Sequence, residues 1–148
     1  MCGITVRVDF YQLSRDPAEA ALPLIARAAM KAGERMLVVS ADEAQLARIG
    51  DALWSKLAES FLAHGMAGDK HAERQPILLS TAIEPVNGAQ FLAIADGQWR
   101  EGEFARTFYL FDDATLQGAR DCWRMLGNRD GVERKFWKQE GGKWVEGP

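Results

Sequence analysis

The chain of 148 residues is poor in the residue types on which several kinds of chemistry depend. It has two cysteines, Cys2 and Cys122, far apart and outside any C-x-x-C spacing, and two histidines, His64 and His71. That set is too sparse for a disulfide framework or a zinc site, and it suits a reducing cytoplasm. Long apolar runs are missing too. Arg7 and Asp9 interrupt the first apolar stretch, and nowhere is there a run approaching the roughly 18 uncharged residues of a membrane span, so membrane insertion and secretion are not expected. Positive charge is not in excess, since 18 Lys and Arg stand against 21 Asp and Glu for a net charge of -3. A protein that grips nucleic acid by bulk electrostatics is thereby disfavoured.

What is present is the composition of one compact domain spanning residues 1–148, with 47% hydrophobic and 26% charged residues. The run Ile4 to Tyr11 alternates β-branched or aromatic residues with polar ones, the period of a half-buried strand. Asp16, Pro17 and Glu19 then predict an N-cap, a proline at the first helical position and a capping-box spacing. The helix that follows carries Leu22, Ile25, Ala26 and Ala29 and ends at Gly33. Met36 to Val39 reads as a strand buried on both faces, and Ser40 with Glu43 as a second capping box, opening a helix with Leu46, Ile49 and Leu53 on one side. The segment from Leu53 to Gly68 is apolar but aperiodic and is expected to be an irregular loop, folded over the core or covered by a partner. Short apolar runs at 77–79 and 91–94, with a turn at Pro85 to Gly88 between them, predict two more strands. Arg106 to Phe111 predicts another, ended by Asp112 and Asp113, which can cap a helix running to about Gly127. Residues 131–144 predict a closing strand and hairpin. This order implies a single α/β domain, its mostly parallel sheet covered by helices on both faces.

Such a fold binds nucleotides through a glycine-rich turn after the first strand, and here that turn is Gln12 to Pro17 without a glycine. Neither G-x-G-x-x-G, nor a Walker lysine motif, nor G-x-S-x-G occurs. His64 has no serine or cysteine motif beside it and reads as a loop histidine bonded to a backbone carbonyl, while Cys122 reads as a small buried hydrophobe. No cofactor is expected. The charge distribution says more. Residues 119–148 hold seven Lys and Arg against five acids, whereas residues 1–118 hold 11 against 16. Arg120 and Arg124 are neighbours one helical turn apart, and Trp123 is one turn from Arg120. Two readings fit this spacing: a core tryptophan with a solvated basic flank, or a small pocket for an acidic peptide with an apolar end, bound by guanidinium forks.

Taken together, several short segments resemble the chi subunit of bacterial DNA polymerase III holoenzyme, an accessory protein of the clamp loader. They are Asp9-Phe10-Tyr11, Gly33-Glu34-Arg35 into Leu37-Val38, Ala52-Leu53-Trp54, Glu59-Ser60-Phe61-Leu62 with His64-Gly65, and Gln75-Pro76-Ile77-Leu78-Leu79. Asn87-Gly88, Phe108 to Asp112, Ala119-Arg120 with Trp123, and Trp137-Lys138-Gln139 continue the series in the same order. The chain departs from the pattern at Ala63, where a proline is common. The resemblance implies an α/β fold like that of nucleotide-binding proteins but without a phosphate loop, and a non-enzymatic adaptor role. It implies a site for the acidic C-terminal tail of single-stranded-DNA-binding protein (SSB) at Arg120 and Trp123, with Tyr109 and Arg124 as neighbours. It further implies an interface around Trp54 and Phe61 for the psi subunit or a clamp-loader protein in its place, with DNA contacted only through SSB. The alternative left open by the residues alone is a small α/β nucleotide-binding protein or enzyme.

Overall fold

The computed structural model describes residues 6–14, 16–55, 62–140 and 143–147. Eight strands form one sheet: β1 (Val6–Gln12), β2 (Met36–Val39), β3 (His64–Met66), β4 (Ile77–Ser80), β5 (Phe91–Ile94), β6 (Arg106–Phe111), β7 (Val132–Glu140) and β8 (Lys143–Glu146). Their spatial order is β3-β4-β2-β5-β6-β1-β7-β8, with every neighbouring pair parallel except the β7–β8 hairpin. The helices α1 (Ala18–Lys31) and α2 (Glu43–Ser55) cover one face and α3 (Leu116–Gly127) the other. The expected mostly parallel α/β sheet with helices on both faces is therefore what forms. Met36 to Val39 and Ile77 to Leu79 are at most 1% exposed, as continuous apolar strands between two helical layers must be.

The sheet pleat divides the aromatic residues between two cores. Phe10, Tyr109 and Phe111 point toward α3, where they pack with Ala119, Cys122 and Leu126. Tyr11, Phe108 and Leu110, next to them in sequence, point toward α1.

Three local expectations are corrected. Pro17, not Asp16, is the N-cap of α1 and supplies no side-chain cap. The Asp16 carboxylate instead accepts from Gln139 Nε2 at 2.8 Å, and Glu19 accepts from Arg48 at 2.9 Å. At α2 the residue before the helix is Asp42, whose Oδ1 accepts from the Ala44 N–H at 2.9 Å. Ser40 lies earlier and takes the Asp42 N–H. The segment expected to be an irregular loop carries regular structure at both ends: α2 runs on through Trp54 to Ser55, and His64–Met66 is an edge strand beside β4. The cap before α3 forms as expected. Asp112 Oδ1 accepts from the Thr115 N–H at 3.1 Å while Thr115 Oγ1 accepts from the Asp112 N–H at 3.0 Å, a reciprocal box.

Candidate functional site

Beside α3, on the sheet face that it covers, lies an open groove of about 340 Å³. Its floor comes from β1, β6 and β7, which present Phe10, Phe111 and Phe136, and its helical wall is Leu116, Ala119, Arg120, Trp123 and Arg124. Gln12 and Lys138 close it at the ends of β1 and β7, where the two residues are register partners. Trp123 is half-buried. Its ring meets Phe10 edge-on at 5.1 Å between centroids and Phe136 at 6.0 Å. These are the favoured contacts of aromatic quadrupoles, so the indole is held by rings on two strands.

The rim is cationic. Arg120 and Lys138 are exposed and take part in no ion pair among the described residues. Arg124 reaches Asp121 at 3.6 Å, with both side chains more than 60% exposed, a pair too solvated to hold the guanidinium in place. Three cations with one weakly engaged carboxylate around an aromatic floor form a site for an anion joined to an apolar group.

Tyr109, expected as a neighbour of this site, does not line it. It is fully buried beneath the floor, 5.3 Å from the Phe10 ring and 6.0 Å from Phe111, and its hydroxyl donates to the Gly97 carbonyl at 2.8 Å. Burial, reinforced by Cys122 and Asp96, pushes this phenol up to about 12. Cys122, on the buried side of α3, is likewise pushed up to about 12 by burial, so its thiol is protonated and unreactive at neutral pH. Sequence reasoning missed Phe10, Gln12, Phe111, Phe136 and Lys138 as groove residues. What brings them together is the side-by-side placement of β6, β1 and β7, strands distant in sequence, which leaves no local signature.

Away from the groove, Trp54 is 59% exposed at the end of α2 and meets the His64 ring edge-on at 5.2 Å. His64 Nδ1 bonds the Leu62 carbonyl at 2.9 Å, the structural role expected of it. Phe61 lies outside the described residues. The crevice at the strand ends, where a nucleotide fold would take phosphate, is lined by Asp16, Glu19, Gln45 and Asp112, with Asp42 and Asp96 close by. Burial opposes the charge on Asp96, but Arg100 and the backbone N–H groups of Ala41 and Gln98 outweigh it and hold the carboxyl below its usual range. Arg48, paired with Glu19 and Asp42, and Arg100, paired with Asp96, offset part of this acidic lining. No helix among the described residues is long and apolar enough to cross a membrane.

The family described as DNA polymerase III chi subunit, HolC, matches residues 6–133. The chain belongs to this family. It is thus related to DNA polymerase III subunits, which gives it an accessory role in DNA replication. Chi is also the name of the curated relatives. The DNA polymerase III subunit chi of Pseudomonas aeruginosa is 35% identical over 125 residues, 80% of this chain and 87% of its own length. That of Escherichia coli is 42% identical over 45 residues, 30% of this chain and 31% of its own. The family match covers all of β1 to β6 and α3, and so most of the groove. Phe136 and Lys138 lie beyond it.

Proposed function

We propose that the chain is a non-enzymatic adaptor of the clamp loader that holds the acidic, apolar-ended C-terminal tail of SSB in the groove beside α3. Its second interface, around Trp54 and Phe61, joins it to the psi subunit or a protein in its place. The observation that carries this reading is the pairing of an open aromatic floor with Arg120, Arg124 and Lys138 around its rim. The apolar end of the tail takes the place of water over Trp123 and the phenylalanines, and the carboxylates of the tail meet the three cations. The exposed indole of Trp54 belongs to the opposite sheet face and the far edge of the sheet, so the two partners can be held at once. Contact with DNA passes through SSB, because a chain of net charge -3 with one small cationic rim neutralises few phosphates.

One apolar anchor and two or three charge-assisted contacts, each about 1.5–3 kcal/mol before ordering costs, correspond to a dissociation constant on the order of micromolar. Calorimetry with the tail peptide of the organism's own SSB tests this, with Arg120→Ala and Trp54→Ala as the two variants. Arg120→Ala is expected to weaken the peptide about tenfold or more. Trp54→Ala is expected to leave that affinity unchanged and to reduce retention of psi. Equal affinity for wild type and Arg120→Ala would reject the groove as the tail site.

A further inference from the structure

One face of the Trp123 ring is covered by a residue that does not line the groove. Arg134, on β7, lays its guanidinium over the indole with Cζ 4.1 Å from the ring centroid, and its Nη1 donates to the Trp123 main-chain carbonyl at 2.7 Å. One side chain thus grips both the ring and the backbone of the same residue. The space for it is made by Gly127, the last residue of α3. A Cβ at that position would lie 2.8 Å from Nη1 and 3.0 Å from Cζ, so the end of the Arg134 side chain would have to shift off its place over the ring.

We infer that Arg134 is a positioning residue for the peptide groove, that Gly127 is present to admit its guanidinium, and that the pair fixes the Trp123 ring with one face open to the ligand. This rests on the reading of the groove as the SSB-tail site. Without Arg134 the indole loses its stacked guanidinium and keeps its packing against Phe10, Phe136 and the core, so its orientation is less tightly fixed. The guanidinium also draws on the π density of the ring from behind, so the open face is less repulsive toward the anionic groups that accompany an apolar anchor.

Gly127→Ala separates this role from simple stabilisation. Gly127 closes the last turn of α3 without a left-handed φ, so alanine fits its backbone, and a glycine unconnected with Arg134 would yield a variant about as stable and fully active. The test follows the five tryptophan indole N–H signals by NMR, with that of Trp123 assigned through Trp123→Phe, alongside calorimetry with the SSB tail peptide. Gly127→Ala and Arg134→Ala should each move the Trp123 indole signal and weaken the peptide about tenfold. The double variant should be no worse than Arg134→Ala alone, because Gly127 acts only through the guanidinium. The melting temperature of Gly127→Ala should fall no further than that of Arg134→Ala, since both lose the same guanidinium contacts. An unmoved Trp123 signal and unchanged affinity in Gly127→Ala would overturn the inference. If the wild-type protein does not bind the peptide, the functional reading of the groove fails, and the indole signal alone then decides whether Arg134 and Gly127 position Trp123.

Discussion

At the scale of single residues, the buried polar groups do more to fix the groove than its exposed cations do. Tyr109 is the clearest instance. Its ring supports Phe10 and Phe111 from below, while its hydroxyl satisfies the carbonyl of Gly97, a buried residue whose φ of +73° and close approach to Thr115 require glycine. Removing the hydroxyl leaves that carbonyl without its donor in an apolar setting, so Tyr109→Phe should lower unfolding stability by about 1–3 kcal/mol in urea titrations. A loss within error of zero would mean that water reaches the carbonyl in the folded state. Peptide affinity should change little, since Tyr109 does not line the groove. The pairing of Arg120 with Trp123 at helical spacing was legible in the sequence, because periodicity alone puts them on one side of α3. Which of the two readings of that spacing applies was not. Trp123 is in fact part core, part wall: it packs on Phe10 and Phe136, is half-buried and lines the groove, an outcome that a helical wheel cannot distinguish from full burial.

At the scale of elements, the groove exists because β1 is flanked by β6 and β7, and one carboxylate binds these three strands together. Asp9, on β1, is 0% exposed. It accepts from Arg7 at 2.9 Å, from Arg106 of β6 at 2.7 Å and from Trp137 Nε1 of β7 at 3.0 Å. Asp9→Asn removes the charge that both guanidiniums face and should cost about 3 kcal/mol in chemical denaturation. A variant as stable as wild type would show that the two arginines simply turn to solvent. The strands and helices were largely legible, since apolar runs, capping residues and turn glycines act locally. What was not legible was what depends on pairing between distant segments. The three-residue strand β3 has no periodicity of its own and forms because β4 offers an open edge. Asp16, read as an N-cap from its position before Pro17, does not cap α1, and Gln139 of β7, from the far end of the chain, takes its carboxylate.

At the scale of the whole molecule, the two proposed interfaces fall on different parts of the sheet. The cationic groove belongs to the β1–β7 side and the face covered by α3, whereas Trp54 ends α2 on the other face near β3 and β4. The strand-end crevice, where nucleotide-binding α/β folds in general take phosphate, is lined here largely by carboxylates, and the residues before α1 are Asp16 and Pro17. The most direct measurement is chemical-shift mapping of the labelled protein titrated with the SSB tail peptide. The amides and side chains of Phe10, Leu116, Arg120, Trp123, Phe136 and Lys138 should shift together and saturate at micromolar peptide, less tightly as salt is raised. Trp54, His64 and the residues around Asp96 should stay where they are. Shifts centred on Trp54 or on the strand-end crevice, with the α3 groove unmoved, would contradict the assignment of the groove as the tail site.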